Sequence, residues 1–383
     1  MQKFIYCFIV FLISPAVFGT PPEVSDIDVS DIVTRIESAF GSVERNKEGG
    51  IIGIDLARDR ASATDDLLRA ALSVPQLQRF RFAGGSVTAE SLSGLLKQRD
   101  LEELYLQDVP LCDADWKPLL DGHPKLSRLT LRRLPNLSGA ELGTLPRRIP
   151  ALRNLALIDM ALTGDALAEI AKSEVLAALD VRNCSRLAVG DYRCLASMSK
   201  LTDLKIGGFG ITDDVLPEIA PCRFLRGLTI DDALITPTGL EIFTANFASA
   251  EKLETLVFSR NSALFDDALV LLKRFPNLKR LTVNGMMVTG SFLARLAEDE
   301  GTRPKLQRLS LRKAFLSEEG ASALQKYPEL RILDLSGVAL TPELIEIIAT
   351  LDFLEELDAA DSGLDNDACQ RLKSLPSLKR LTR

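Results

Sequence analysis

One six-residue phrase governs what this chain can fold into: leucine, two variable residues, leucine, one variable residue, leucine. It returns thirteen times after residue 50, beginning at Ile51, Leu77, Leu101, Leu126, Leu152, Leu176, Leu201, Leu225, Leu253, Leu278, Leu306, Leu330 and Leu354. A fourteenth copy starts at Leu378. Neighbouring copies lie 24 to 28 residues apart, the spacing of a stacked-repeat architecture. Within each phrase the last two leucines alternate with polar residues, as in a strand with one buried face. A single such strand cannot hide its apolar side, but stacked copies can. Each leucine so buried contributes roughly 1.5 to 3 kcal/mol relative to exposure.

The second half of each unit reads as a capped helix. Thr341 suits an N-cap, Pro342 the first helical position and Glu343 the positive helix start. Leu344, Ile347 and Ile348 follow at helical spacing. The same order returns as Thr163 with Leu167 and Ile170, Thr212 with Leu216 and Ile219, Thr236 with Leu240 and Phe243, and Thr289 with Leu293 and Leu296. Many return segments carry a proline, as at Pro75, Pro124, Pro150, Pro276, Pro304, Pro328 and Pro376, where a helix should stop. The expected fold is an α/β solenoid, with a parallel β-sheet on a concave face and helices on a convex one.

On these residues the chain resembles the leucine-rich repeat family, in particular its helix-backed subclasses, the ribonuclease-inhibitor-like and cysteine-containing repeats. The resemblance covers residues 51–383. It departs at one place. Three residues past the last leucine the family usually has Asn or Cys, whose side chain bonds turn backbone. Here only Cys184 and Asn261 fit, against Gly85, Val109, Leu134, Met160, Phe209, Ala233, Met286, Ala314, Val338 and Ser362.

Length alone would suggest two or three domains, but a solenoid lengthens without a new core. Residues 1–19 read as a secretory signal peptide: Lys3, an apolar run over residues 4–13, and small or tolerated residues before Thr20. An uncleaved N-terminal anchor is the alternative. Residues 20–50 read as an N-terminal cap, with a helix carrying Ile32, Val33, Ile36 and Phe40, then a turn over residues 46–50. Residues 51–383 form the solenoid of about thirteen repeats. The expected location is secreted, or periplasmic and in the cell envelope. No later segment approaches membrane-spanning length.

Formal net charge is −7, and it becomes one unit more negative without residues 1–19. That balance does not suit a nucleic-acid partner, which wants a basic stripe. Catalytic chemistry also finds little to work with. The one histidine, His123, falls beside Gly122 and Pro124 and reads as a solvated loop residue. The paired acids Asp213 and Asp214, Asp231 and Asp232, and Asp266 and Asp267 read mostly as helix-start residues answering the dipole. Gly207, Gly208, Phe209 and Gly210 look faintly like a phosphate loop, but they lack its lysine and spacing and read as a turn. Five cysteines follow residue 19 (Cys112, Cys184, Cys194, Cys222 and Cys369), an odd count without paired spacing. A bridge between Cys184 and Cys194 is conceivable; a zinc site is not expected. The expected cofactor list is empty, and the chain reads as no enzyme.

Binding is the remaining role. Residues three, five and seven of each unit should face away from the buried leucines. Arg79, Arg81, Tyr105, Arg128 and Arg132 cluster early; Arg280, Arg308 and Arg312 cluster late. Arg and Tyr are enriched at binding hot spots, although the same residues also serve simply to keep an exposed sheet soluble. The leading expectation is a non-catalytic exported scaffold that binds another protein on this face, as the family resemblance implies. The alternatives are an envelope or extracellular binder of an acidic glycan or polymer and, through the resemblance, a substrate-recognition subunit of a ubiquitin-ligase-like complex. The coil at Leu378 is also a candidate for self-association.

Overall fold

Each phrase places its leucines in register with those of the next. A computed structural model of the chain describes residues 29–58, 62–84, 87–120, 122–301 and 303–383. The signal-peptide reading of residues 1–19 lies outside them. Among the described residues, fifteen strands form one sheet in strict chain order. From the second strand onward every pairing is parallel, and the repeated leucines meet without offset: Leu104 faces Leu129, which faces Leu155. Toward the other end Leu309 faces Leu333, and Leu333 faces Leu357. Zero offset lets identical rows of apolar side chains run the length of the molecule. They merge with the helix residues into one continuous core.

The helices close the other side of that core. Thr163, Thr236 and Thr341 accept from the backbone N–H three residues on, at 3.4, 3.3 and 3.2 Å. Pro237 and Pro342 open their helices, Pro237–Asn246 and Pro342–Ile348. Where the unit carries Ala188 instead of a hydroxyl residue, Asp191 reaches back to its N–H at 2.7 Å, and the segment Val189–Ser197 winds as a 3₁₀-helix. At Cys112 the cap is likewise taken over from within the helix, because Asp115 accepts from both the N–H and the thiol, at 3.0 and 2.9 Å.

The turn leaving each strand is built by the backbone. In all eleven units from Leu101 onward, the eighth residue has a left-handed conformation. It is Gly208, Gly285 or Gly337 in three units, and Asp108, Arg133, Asp159, Asn183, Asp232, Arg260, Lys313 or Asp361 in the rest. A left-handed residue with a side chain costs roughly 1 to 2 kcal/mol, so the stacking must hold it in place. Several of these side chains are themselves tied together across coils. Arg133 grips Asp108 through two bonds of 2.6 and 2.7 Å, and Arg260 grips Asp232 through bonds of 2.5 and 2.6 Å. The two family-like residues work as their chemistry suggests. Cys184 donates to Leu157 O at 3.1 Å, and Asn261 donates to Ile230 O and Ser259 O at 2.9 and 3.1 Å.

A second inter-coil device corrects the reading of the paired acids. Asp213 is not merely a helix-start charge: it accepts from Thr236 N at 2.8 Å and Thr236 Oγ1 at 2.5 Å, one coil on. Asp65 does the same for Thr88 at 2.8 and 2.9 Å, and Asp266 for Thr289 at 2.7 and 3.1 Å. An acid at or just before one helix start therefore holds the threonine ahead of the next helix.

The N-terminal side opens with α1 (Val29–Ser38), which buries Ile32 and Ile36. An unanticipated strand follows. β1 (Ser42–Arg45) runs antiparallel to β2 (Ile51–Leu56) as a hairpin, and the turn over residues 46–50 joins them. Hairpin formation supplies ladder partners for the outer edge of β2, which would otherwise be bare. At the other side, the last strand, Arg380–Thr382, pairs with Glu356–Asp358. Its basic residues are internally engaged: Lys379 with Glu355, Arg380 with Glu356, and Arg383 with Asn366.

Candidate interaction surface

Because side chains alternate along a strand, burying the leucine rows turns the third, fifth and seventh residues of each unit onto the open face. All eight predicted site residues lie there. The register sorts them into rows. In the third-position row Arg79 sits opposite Glu103, and Glu103 opposite Arg128. In the fifth-position row Asp55 sits opposite Arg81, and Arg81 opposite Tyr105.

The early cluster is an ion-pair lattice and not a bare cationic patch. Arg79 is paired with Glu44 of β1, its Nε donating at 2.7 Å. Arg81 lies between Asp55 and Glu103, at 3.5 and 3.4 Å, with its guanidinium 4.5 Å from the centre of the Tyr105 ring. Arg128 donates to Glu103 at 3.0 Å, and Arg132 to Asp159 at 3.4 Å. The Tyr105 hydroxyl donates to Gln107. These side chains are half-exposed and held in place, with their charge largely answered by neighbours.

The late cluster differs. Arg280 and Arg308 are direct partners on adjacent strands, and like charges so placed destabilise a sheet. Among the described residues Arg280 donates only to Thr255 Oγ1, at 2.9 Å. Arg308 has no polar partner among the described residues. Arg312 alone of the three has a carboxylate, Asp334 at 3.5 Å.

Between the clusters lies the most buried charge group of the face. Arg182 makes a two-pronged pair with Asp180 at 2.9 and 2.8 Å, and its third nitrogen reaches Asp231 at 3.0 Å. Asp231 stands two strands away, across Gly207. A Cβ at residue 207 would come within 2.5 Å of Asp231 O and 3.3 Å of Arg182 Cγ, so glycine is what lets the arginine lie across that coil. The bond to Asp180, foremost, holds the Arg182 guanidinium more firmly charged than usual. Aligning seventh positions of successive repeats places Arg182, Gly207 and Asp231 in one row, a signal the sequence does carry.

Catalytic groups are occupied elsewhere. His123 is buried, not solvated: its Nδ1 lies 3.0 Å from Gln98 O and its Nε2 2.8 Å from Leu119 O. The return loop packs it against the previous coil, where its ring nitrogens lie against backbone carbonyls. Buried between two carbonyl oxygens, the ring is shut away from solvent. The five cysteines Cys112, Cys184, Cys194, Cys222 and Cys369 are free thiols, so no Cys184–Cys194 bridge forms. Burial pushes the Cys184 and Cys222 thiols up to about 12 and Cys194 to about 11. Among the described residues no group of His, Cys, Asp and Glu is gathered as a metal site, and no helix is long and apolar enough to cross a membrane.

No family model matches the sequence. Among solved structures, the chain is similar to one from a yeast complex of Rad7 and Elc1, with 17% identity and a TM-score of 0.57 over 84% of each chain. It is also similar to an internalin from Listeria monocytogenes, at 18% identity and a TM-score of 0.40, covering 85% of this chain and 90% of that one. The first likeness, together with the sheet topology, defines the class: an α/β solenoid of leucine-rich-repeat type, with one long, mostly parallel sheet backed by helices.

Proposed function

We propose that this chain is a non-catalytic scaffold that binds another protein on the open face of its sheet. The observation that carries the reading is the side-by-side placement of Arg280 and Arg308 without a carboxylate between them. Nearly every other arginine named on this face has an acidic neighbour. An acidic side chain from a partner would relieve the repulsion of this pair on binding, and Arg312 extends the same patch. Arg79, Arg81, Tyr105, Arg128 and Arg132 form a second contact region, pre-ordered by their ion pairs, which lowers the entropy cost of association. The matched yeast chain is itself solved with a protein partner, in keeping with this reading.

The ion-pair lattice disfavours an acidic polymer, which would have to compete with Glu44, Asp55, Glu103 and Asp159 for the early arginines. Helices backing the sheet support the helix-backed subclass of the repeat family. Export through residues 1–19 belongs to the same proposal, and N-terminal sequencing of the secreted protein should find Thr20 first.

The decisive experiment is affinity capture from the native host with the wild-type chain and with an Arg280→Glu, Arg308→Glu variant. The variant should fold as well as wild type, since it exchanges one exposed like-charged pair for another at the same register, and it should lose the partner. Equal capture by both chains refutes the assignment. A salt titration separates the polymer reading, whose affinity would collapse steeply with ionic strength.

A further inference from the structure

From the unit at Leu101 onward, the ninth residue as a rule points into the core. Val109, Leu134, Met160, Cys184, Ala233, Asn261, Met286, Ala314, Val338 and Ser362 are all buried there. Phe209 breaks the pattern, 81% exposed. Its unit is also the one in which glycines, at 207, 208 and 210, surround the position, and its turn closes through Ile211 N donating to Gly208 O at 2.9 Å. Beside this turn lies a cavity of about 270 Å³, lined by Asn183, Cys184, Ser185, Leu187, Tyr192 and Ile211 together with the glycine turn. A dry cavity of roughly 150 Å³ takes up benzene, so this one has room for a single large side chain.

Asn183, Ser185 and Tyr192 are its polar lining residues. Tyr192 is 3% exposed, and its hydroxyl has no hydrogen-bond partner among the described residues. Tyr327, equally buried, donates to Leu293 O at 2.8 Å. The Tyr192 oxygen is reached by solvent through the cavity, so the hydroxyl is available to donate to an acceptor that enters there. The rim continues the apolar character. Leu234, Met287 and Phe315, exposed by 47, 67 and 74%, occupy the turns of later coils on the same edge as Phe209. Ser262 takes the same position in the coil between Leu234 and Met287.

We infer that the cavity beside Phe209 is an anchor pocket for one aromatic or branched aliphatic side chain of the protein partner, with a carbonyl oxygen beside that side chain accepting from Tyr192. Phe209 is the outer lip of the pocket, and the row through Phe315 carries the flanking apolar contacts. The identity of the occupant as a protein side chain rests on the scaffold reading above; the pocket itself does not.

The test uses the purified chain, selectively 15N-labelled at glycine, titrated with N-acetylphenylalaninamide and N-acetylleucinamide. Both probes should shift the amides of Gly207, Gly208 and Gly210 saturably, while N-acetylserinamide should not. Gly210→Phe should weaken probe binding at least tenfold by closing the mouth; a Cβ at residue 210 meets nothing within 4 Å, so the fold tolerates it. Tyr192→Phe should weaken binding about fivefold, the worth of one net hydrogen bond, with no fall in melting temperature because the lost hydroxyl had no partner. Absence of saturable shifts in the wild-type chain, or full binding by Gly210→Phe, overturns the pocket. Unchanged affinity in Tyr192→Phe overturns the acceptor. Since no partner protein is added, a silent pocket leaves the Arg280 and Arg308 reading intact, and failure of that charge variant leaves a probe-binding pocket standing.

Discussion

Replacing Arg182 by Met tests the charge group at the centre of the open face. The guanidinium makes three charge-assisted bonds of 2.8 to 3.0 Å to Asp180 and Asp231. Its side chain is 28% exposed, against 10 and 12% for the two carboxylates, so solvent screens the group only in part. Removing one member of a fully buried pair costs about 3 to 5 kcal/mol because the other is left charged and alone. Partial exposure of the arginine brings the expectation to about 3 kcal/mol. Asp231 adds to the penalty, since its Oδ1 already has no hydrogen-bond partner. Urea unfolding should be followed by circular dichroism and by fluorescence of Trp116, the sole tryptophan, which is buried well before this coil. Repeat arrays couple mainly through nearest neighbours, so the two probes should separate in the variant if the lesion uncouples the halves. A further variant with Asp180→Asn and Asp231→Asn beside Arg182→Met removes the stranded charge and should return to within about 1 kcal/mol of wild type. A loss below about 1 kcal/mol for Arg182→Met, or no recovery with both amides, refutes the reasoning.

Three further outcomes follow from the same contacts. Asp213→Ala removes both bonds to Thr236 and should cost about 1 to 2 kcal/mol in urea unfolding, as loss of an N-cap does; no change would mean the inter-coil bond carries nothing. The Arg260 side chain, chiefly through its hydrogen bonds, holds the Asp232 carboxyl below the usual carboxylate range. A depressed folded value contributes stability above that range and loses it as pH falls, so the deficit of Arg260→Gln should be full at neutral pH and shrink progressively as pH falls below roughly pH 4; a constant difference across that window contradicts the pairing. In the native chain Cys184, Cys194 and Cys222 should resist an aromatic disulfide reagent at pH 8, because raised thiol values leave little thiolate, and should react at once in denaturant.

The strand rows and helix starts were legible because both depend on residues close together in sequence. Leu104 announces a strand through Leu106, and Thr236 announces a helix through Pro237 and Leu240. The turn residues were not, because a left-handed backbone position occupied by Arg133, Lys313 or Asp159 has no compositional mark; the stacking imposes it. Lateral partners fell between these cases. Arg81 meets Asp55 and Glu103 only once repeats are set in register, and that register could have been read from the leucines. Glu44 could not, since Ser42–Arg45 lacks the alternation that marks a half-buried strand and owes its place to β2. His123 was misjudged for a similar reason: its loop looks solvent-facing in isolation, and only the previous coil supplies Gln98 O.

The bond from Asp213 to Thr236, with its counterparts at Asp65 and Asp266, makes adjoining coils reciprocal instead of interchangeable. An in-frame excision of one turn of the spiral would preserve every leucine row yet join a capping threonine to a neighbour that offers no carboxylate. Lineages that gain or lose such turns should therefore do so in blocks whose outer seams keep an acid facing a hydroxyl, and chimeras cut elsewhere should fray first at the helical side of the junction.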